Sequence, residues 1–251
     1  MKLLTLARDL RRRKARERQQ LFVAEGVRAV EELVRSPLNV RGALVAPQLS
    51  EAPRGLALRA ELASRNLDVQ EVEAAEFGSA AETESPQGVI GIAEIPNRSF
   101  ESLPADWTGV VLVLDGVQDP GNVGTIVRTA AGLGAVATIA MPGTVDLWNA
   151  KVVRSGMGAH FRHIAFGSTW GELDGFRTRS GAMVFGADAG GGEVPRPLPP
   201  RVLLIVGNEG AGLSPEARAR VDRLVALRLA PDVESLNVAV ATGILLHQLR
   251  Q

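Results

Sequence analysis

The second half of the chain alternates short apolar runs with segments of helical periodicity. Near-continuous apolar runs predict strands at 110–117, 135–141, 161–166, 182–188, 201–207 and 223–229. Helices are predicted at 122–132 and 147–158, from Pro215, and from about Ser235. Because strands that are apolar on both sides occur in parallel sheets covered by helices, the pattern predicts an α/β fold with a parallel sheet. The Gly- and Pro-rich stretch 189–200 is predicted to be a surface loop.

The first hundred residues predict a smaller mixed α/β unit. A basic segment of helical periodicity comes first, followed by two strand and helix cycles and a last strand. The predicted strands are 21–26, 40–47, 68–72 and 88–96, and the predicted helices are 27–36 and 53–66. From Pro96 to Trp107 the chain is polar and carries two prolines, which is typical of a linker. We therefore predict two domains, residues 1–98 and residues 108–251.

Composition excludes several classes of protein. The chain has 251 residues, of which 45% are hydrophobic, enough for a proper core. It has no cysteine, which excludes disulfides and thiolate metal sites, and its three histidines lack the spacing of zinc motifs. No apolar run is long enough to cross a bilayer, and the N-terminus lacks the apolar stretch of a signal peptide. We therefore expect a cytoplasmic protein that needs no metal and spans no membrane.

The positive charge is concentrated at the N-terminus. The formal net charge is zero, yet residues 1–18 contain eight Lys or Arg and two acids. The run Arg11, Arg12, Arg13 and Lys14 is typical of a surface that binds a nucleic-acid backbone, because clustered cations release the counterions of phosphates. A solvated helix face without a partner explains the same run equally well.

Arg128 stands out in the helix predicted at 122–132. It is the only charged residue from Pro120 to Val145. Val123, Ile126, Val127 and their successors at helical spacing form a buried stripe, so Arg128 projects from the polar flank. Asn122 lies at or next to the predicted N-cap, where its side chain can bond a backbone N–H or a ligand. A surface arginine and a helix cap remain the alternative interpretations.

Two further loops carry polar residues where a predicted strand ends or a helix begins. "GNEGAGLSPEA" follows the strand that ends at Val206, and its glycines let the backbone approach a ligand closely. Glu209 in this glycine-rich turn has little structural reason to be there, whereas Ser214 before Pro215 is a standard helix start. Ser235 and Asn237 stand at the mouth of the last helix, with Ser235 a candidate cap. Neither GxxxxGK[ST] nor a strand-to-helix GxGxxG is present.

These segments resemble the SpoU (TrmH-type) family of SPOUT RNA ribose 2′-O-methyltransferases. The three family motifs occur in order as "DGVQDPGNVGTIVRTA", "IVGNEGAGLS" and "ESLNVAVATGILLHQL", and "KVVRSGMGAHFRHI" resembles the segment between the first two. The segments "LFVAEGVRAVEELV" and "SPQGVIGIAEIP" resemble the N-terminal RNA-binding domain of the family. The resemblance implies a C-terminal trefoil-knotted methyltransferase domain, a small N-terminal α/β RNA-binding domain, and a homodimer.

The resemblance also assigns roles to individual residues. The cofactor it implies is S-adenosylmethionine, bound by Gly186, Gly207, Asn208, Leu227, Leu229 and Leu236. The catalytic set it implies is Arg128, Asn122, Glu209, Ser235 and Asn237, in which Arg128 also contacts RNA. The resemblance assigns this arginine as a general base. Because a guanidinium stays protonated, we prefer the hypothesis that Arg128 holds a phosphate and developing negative charge. The sequence leaves both roles open.

The sequence leaves open which RNA is the substrate and how the departures from the family pattern affect the cofactor pocket and the fold. A two-domain layout favours ribosomal RNA over tRNA, and the sequence also leaves room for a non-catalytic RNA-binding or assembly factor and for a small-molecule methyltransferase. The chain departs from the family pattern at Leu227-Arg228-Leu229, where Ile-Pro-Met is usual, and at Pro231, where glycine is frequent. Gly156 replaces a common serine, a change that we expect to be structural and mild.

Overall fold

The computed structural model describes residues 2–250, and the chain divides into two compact units. The first unit comprises the residues up to Asn97 together with Trp148–Arg162, and the second comprises Arg98–Leu147 and the residues from His163 onward. Segment Trp148–Arg162 thus packs with the first unit, although the sequence pattern groups it with the second. The reason is aromatic packing: the Trp148 ring lies 4.5 Å from the ring of Phe22, between centroids.

The helices and strands follow one another along the whole described chain. The helices are α1 (Leu3–Leu10), α2 (Arg13–Gln19), α3 (Val27–Val34), α4 (Pro53–Ser64), α5 (Ala74–Gly78), α6 (Pro120–Gly132), α7 (Ala150–Ser155), α8 (Trp170–Ser180), α9 (Pro215–Arg218) and α10 (Val238–Gln248). The strands are β1 (Leu21–Glu25), β2 (Val40–Val45), β3 (Val69–Glu71), β4 (Val89–Glu94), β5 (Gly109–Leu114), β6 (Ala137–Ala140), β7 (Ala165–Gly167), β8 (Met183–Gly192), β9 (Arg201–Val206) and β10 (Arg223–Val225). Short 3-10 helices occupy Pro47–Glu51, Phe100–Ser102 and Ala159–Phe161.

The second unit contains the predicted parallel sheet. Its six strands run in the order β10-β8-β9-β5-β6-β7, and every neighbouring pair is parallel. Strands β5 and β9 lie at the centre and are buried over nearly their whole length, as their apolar runs predict. Leu114 is in register with Val206, so the loops that follow these two strands begin side by side.

The first unit is built on a smaller mixed sheet. Its four strands run in the order β1-β4-β2-β3, with β4 antiparallel to both neighbours and β2 parallel to β3. The apolar face of α1 is buried in the core of this unit, with Leu3, Leu6 and Leu10 among its members. The N-terminal segment predicted as one basic helix thus forms two helices, α1 and α2. Helix α1 buries its apolar face, whereas Arg16 of α2 is itself buried and donates to the Leu10 carbonyl at 2.8 Å.

Helix α8 is absent from the elements that the apolar periodicity predicts. Its two glycines and low hydrophobicity hide the pattern, although Leu173 and Phe176 are buried. The signal that identifies it is the capping box, in which Thr169 and Glu172 each bond the other's backbone N–H. Part of the predicted linker packs beside this helix: Trp107 stacks on Phe176 with ring centroids 5.7 Å apart.

Strand β8 is longer than the sequence predicts. It continues to Gly192, through part of the stretch predicted as a loop, because Gly192 pairs with Val225 of β10. A side chain at Gly191 would lie 2.7 Å from the backbone of Leu224 and Val225, so glycine allows the close approach. Glycine-rich sequences are generally poor strand formers, which is why the prediction for 189–192 is wrong.

Within residues 2–250, no cluster of three or more acidic or histidine side chains is arranged to hold a metal ion. No helix in the same range is long and apolar enough to cross a membrane.

Candidate active site

Three segments at the carboxyl edge of the parallel sheet form the candidate site. We call residues 115–119 after β5 the motif-one loop, residues 207–214 after β9 the motif-two loop, and residues 226–237 between β10 and α10 the motif-three segment. Ligands of open α/β sheets bind beyond the carboxyl ends of the strands, so this edge is where a site is expected.

The motif-one and motif-two loops are joined close to their strands. The carboxylate of Asp115 is buried, at 4% exposure, and its Oδ2 accepts a hydrogen bond from the Ser214 backbone N at 2.6 Å. The side chain of Asn208 donates to the Gly116 carbonyl at 2.8 Å. Asp115 is therefore a positioning residue that the sequence analysis missed, although an acid directly after a buried strand is a usable signal.

Glu209 makes the second set of contacts between these loops. Its carboxylate accepts hydrogen bonds from the backbone N of Gln118 at 3.3 Å and of Asp119 at 3.2 Å. It also accepts from the side-chain amides of Asn122 at 3.1 Å and Asn208 at 3.4 Å. All four donors surround one carboxylate, so the charge in this glycine-rich turn holds the motif-one loop against the motif-two loop.

Asn122 and Asn237 extend this arrangement to the motif-three segment. The Nδ2 of Asn237 donates to the Oδ1 of Asn122 at 3.0 Å. Asn237 is the N-cap of α10, and its Oδ1 accepts from the backbone N of Ala239 at 2.9 Å and Val240 at 3.4 Å. Asn237, Asn122 and Glu209, one residue from each motif, thus form a continuous hydrogen-bonded chain, which we call the amide chain.

Two helix caps differ from the sequence expectations. Helix α6 begins two residues earlier than its periodicity predicts, and Asp119, not Asn122, is its N-cap, accepting from the Asn122 backbone N at 2.8 Å. At α10 the cap is Asn237, so the interpretation of Ser235 as a cap is wrong. The expected cap of α9 by Ser214 is confirmed. Neither the Asn122 side chain nor the Ser235 side chain therefore caps a helix.

Hydrogen bonding keeps Glu209 charged. Burial raises the pKa of this carboxyl, but hydrogen bonds from the Asn122 side chain and from the backbone of Glu209, Gln118 and Asp119 leave the pKa below its ordinary value. A carboxylate with a lowered pKa is a weak base at neutral pH. Glu209 is therefore suited to orient Asn122 and the loops, and poorly suited to remove a proton.

Arg128 lies on the exposed flank of α6, as its helical position predicts. Val123, Ile126, Val127 and Ala130 of the same helix are buried, which confirms most of the predicted stripe. Arg128 itself is exposed. Within residues 2–250 it makes no hydrogen bond or ion pair, so the structure does not join it to the amide chain. Its five N–H donors are available to a ligand.

A cavity of about 380 Å³ opens beside the amide chain. Its lining includes most of the predicted cofactor residues, namely Gly207, Asn208, Leu227, Leu229 and Leu236. Glu209, Ser235 and Asn237 of the predicted catalytic set also line it. Cavities of this size hold small molecules.

Gly186 lies outside the lining, whereas residues that the sequence analysis missed form part of it. A side chain at Gly186 would lie 2.7 Å from Val221 and 2.9 Å from Leu213, so this glycine serves packing. The following residues Ala187, Asp188 and Ala189 line the cavity instead, as does Glu234. Small residues directly after a strand carry little chemical signal, which explains why sequence inspection overlooks them.

Gly207 lets the motif-two loop close tightly on itself beside the cavity. A side chain there would lie 2.3 Å from the carbonyl of Gly212, so only glycine permits this turn. The apolar wall of Leu227 and Leu229 and the polar groups of Asn208 and Ser235 share the same cavity. A cofactor with an apolar ring system and polar substituents, such as S-adenosylmethionine, matches this lining.

The basic N-terminal run is exposed but partly neutralised. Arg12 pairs with Asp9, and Arg13 pairs with Glu17 at 2.7 Å. Arg11 donates to the Ser79 carbonyl at 3.3 Å, and Lys14 makes no ion pair within the described residues. All four side chains are exposed. Arg11 and Lys14 are therefore the two cations of this run that form no ion pair within the described residues.

A ligand-sized cavity and a polar chain at the carboxyl edge of a parallel sheet define a small-molecule-binding α/β protein. The model of the SpoU rRNA Methylase family matches residues 109–247, and that of the MRM3-like substrate binding domain matches residues 5–91. The chain therefore belongs to the SpoU rRNA methylase family, whose members use S-adenosylmethionine.

Individual relatives match almost the whole chain. The 23S rRNA (guanosine(2553)-2′-O)-methyltransferase RlmP of Bacillus subtilis is 32% identical over 245 residues, which cover 97% of this chain and 94% of that protein. The AdoMet-bound rRNA methyltransferase from Sinorhizobium meliloti superimposes with a TM-score of 0.84 at 28% identity, covering 99% of this chain and 94% of the other. The SpoU methyltransferase AviRb from Streptomyces viridochromogenes, in complex with AdoMet, gives 0.85 at 26% identity, covering 99% and 97%.

Proposed function

We propose that this protein transfers a methyl group from S-adenosylmethionine to a ribose 2′-hydroxyl of RNA, with 23S ribosomal RNA as the substrate. The observation that carries the proposal is the amide chain, because it joins one residue from each of the three family motifs beside a ligand-sized cavity. Membership of the SpoU rRNA methylase family supports the reaction class and the cofactor.

The cavity is the proposed cofactor site. Gly207 and Asn208 of the motif-two loop and the leucines 227, 229 and 236 of the motif-three segment would hold the cofactor. S-adenosylmethionine supplies an electrophilic methyl group on a positively charged sulfur. The substitution of Ile-Pro-Met by Leu227-Arg228-Leu229 keeps the lining apolar, since the Arg228 side chain is exposed and pairs with Glu193.

The protein contributes orientation and charge. A ribose hydroxyl is a poor nucleophile, and alignment alone contributes roughly 7 to 11 kcal/mol at the limit in favourable cases. We assign Arg128 to the neighbouring phosphate and to the negative charge that develops on the ribose oxygen, because its guanidinium offers a planar fork of donors. Asn122 retains one unassigned N–H beyond its bond to Glu209, and Ser235 offers a hydroxyl, so both are proposed to contact the ribose.

The proposed RNA specificity rests on the N-terminal unit and on the relatives. Residues 5–91 match a substrate-binding domain, and the RlmP relative, which acts on 23S rRNA, is similar over nearly the whole chain. We propose that Arg11, Arg12, Arg13 and Lys14 bind the RNA backbone, with Arg11 and Lys14 contributing most. We propose a cytoplasmic location, which the similarity to the bacterial enzyme RlmP supports.

We further propose a trefoil knot and a homodimer. Support for the knot comes from family membership and from the cavity, to which both the motif-two loop and the motif-three segment contribute. Support for the dimer comes from exposed apolar residues at and before α10: Val233, Leu236, Val240 and Ile244. Val240 is 52% exposed, so a second copy that covers this stripe would remove apolar surface from water. Sedimentation should give a dimer for the wild type and a monomer for Val240→Asp, whereas Leu56→Asp, at an equally exposed position, should stay dimeric.

The decisive experiment is to incubate the protein with isotopically labelled S-adenosylmethionine and separate RNA fractions, and then to map the 2′-O-methyl position. Label should enter 23S rRNA that lacks the modification, and should not enter 16S rRNA or tRNA. Label in tRNA alone would overturn the proposed substrate. Cofactor binding by calorimetry without methylation of any fraction would instead indicate an RNA-binding protein that does not catalyse the transfer.

A further inference from the structure

The cavity lining is acidic. Asp188, Glu209 and Glu234 line it, and no Lys, Arg or His does so among the described residues. The charges that the lining itself carries therefore favour a positively charged ligand over a neutral one.

Two of these three carboxylates are already committed. Glu209 accepts the hydrogen bonds that hold the motif loops together. Asp188 accepts from the Gly190 backbone N at 2.9 Å and forms an ion pair with Arg218. The backbone bond from Gly190, helped by Arg218, outweighs burial and lowers the pKa of Asp188. The charge of Asp188 is thus largely neutralised by Arg218 and by the Gly190 backbone N–H.

Glu234 is different. It stands directly before Ser235 in the motif-three segment and is exposed at the cavity. Within residues 2–250 it forms no ion pair and no side-chain hydrogen bond. Glu234 is therefore the carboxylate of the lining whose charge remains available to a ligand.

We propose that Glu234 is a specificity-determining residue that favours S-adenosylmethionine over the demethylated product, S-adenosylhomocysteine. This inference rests on the proposed function. The two ligands share the same amino, carboxyl and adenosine groups, but the sulfur carries a positive charge only before the methyl group is transferred. A free carboxylate at the cavity attracts the charged sulfur and gains nothing from the neutral one, so it assists exchange of product for fresh cofactor.

The expected effect is modest because Glu234 is exposed. Ion pairs at exposed positions contribute about 0.2 to 1 kcal/mol, which corresponds to roughly 1.5- to 5-fold in a dissociation constant. Salt screens such interactions, so the preference should decrease as the ionic strength rises.

The test is calorimetric titration of the full-length protein and of Glu234→Gln with three ligands: S-adenosylmethionine, S-adenosylhomocysteine and sinefungin, which carries an ammonium near the position of the sulfonium. In Glu234→Gln we expect the two charged ligands to bind about 1.5- to 5-fold more weakly and S-adenosylhomocysteine to bind almost unchanged. Asp232→Asn is the matched control, because it removes a charge from the same segment outside the cavity lining, and it should leave all three affinities unchanged.

The remaining outcomes separate the two proposals. If Glu234→Gln weakens all three ligands equally, Glu234 pairs with their common amino group, and the proposed discrimination is wrong. If no affinity changes while the wild type binds the cofactor, the inference fails and the proposed function stands. If the wild type binds none of the ligands, the cofactor assignment and the inference both fail.

Discussion

Asn237 donates its side-chain N–H to the side-chain oxygen of Asn122 at 3.0 Å, across 115 positions of the sequence. The Oδ1 of Asn237 is committed to the first turn of α10, so its amide can face Asn122 only with nitrogen. Asn122 must then face Asn237 with oxygen and Glu209 with nitrogen. The cap of one helix thereby fixes the amide orientation of a residue on another.

Replacement of Asn237 by Asp should separate the capping role from the site role. Aspartate is as good an N-cap as asparagine, so the free energy of unfolding should change by less than about 0.5 kcal/mol. The carboxylate cannot donate to Asn122, so the amide chain breaks. Turnover should then fall at least about tenfold, which corresponds to the free energy of about one hydrogen bond. Single-turnover methylation and thermal unfolding measure the two effects.

Asn149→Asp is the matched control, because Asn149 caps α7 through the Lys151 backbone N at 2.9 Å and belongs to no amide chain. Both activity and stability should be retained there. Full turnover in Asn237→Asp would mean that the orientation of Asn122 does not matter for the reaction.

The contacts of the Glu209 carboxylate with the motif-one loop should stabilise the folded protein less as the pH falls. Its pKa is lowered in the folded protein, so its stabilising contribution is complete above the unfolded carboxyl pKa of about 4.3 and is lost as the pH falls through the lower folded value. Urea unfolding should show Glu209→Gln less stable than the wild type at pH 7, with the difference shrinking towards pH 3. Glu84→Gln, which removes an exposed carboxylate, should show little difference at either pH. A difference that persists undiminished in acid would show that charge is not the cause.

Arg128→Lys keeps the positive charge and removes the planar fork. We expect turnover to fall at least about tenfold, and further in Arg128→Ala, because lysine cannot make the bidentate contact with phosphate. Unfolding free energies should stay within about 0.5 kcal/mol, since Arg128 is exposed and has no partner within residues 2–250. Arg179→Ala, an exposed arginine on α8, is the control and should retain activity. Unchanged turnover in Arg128→Lys would rule out the bidentate role.

Lys14→Gln and Arg11→Gln should weaken RNA binding without selecting among sequences. Each removes one cation that forms no ion pair within the described residues, so the slope of log affinity against log salt should decrease by about one for each phosphate that is no longer neutralised. Filter binding at several salt concentrations measures this slope. Arg65→Gln removes the same charge from an arginine that pairs with Glu61, and it should alter the slope less. Equal effects in all three variants would indicate a response to net charge instead of a binding surface.

Gly156→Ser should lower the free energy of unfolding by more than the mild effect that the sequence predicts for this position. A side chain at this position would lie 2.3 Å from Nδ1 of His160, which is fully buried. Overpacking of this kind costs about 1 to 3 kcal/mol of unfolding free energy. The double variant with His160→Ala should recover part of the loss, whereas Gly171→Ser, which has open space, should cost little. A strictly additive double variant would argue against a steric clash between the two positions.

The strands of the second unit could be predicted because their signal is local. β5 and β9 are apolar on both sides, and α6 shows a buried stripe, so burial alone determines these elements. Helix α8 and the end of β8 escaped prediction because glycine weakens the local pattern, while capping and strand pairing stabilise the structure. The packing of segment Trp148–Arg162 with the first unit could not be predicted, because its partner, Phe22, is distant in the sequence.

For the candidate site, the sequence by itself determined which residues we propose to carry chemistry: a lone arginine, an acid among glycines, and asparagines at helix starts. Each is recognisable because its residue type conflicts with its local surroundings. Tertiary structure alone decided that Asp119 and Asn237 are the caps, that Glu209 is saturated by donors, and that Glu234 remains free at the cavity. The physical reason is that hydrogen bonds and charges act over a few ångströms in space, and the register of β5 with β9 brings together loops about ninety residues apart, as in the 91-position separation of Gln118 and Glu209.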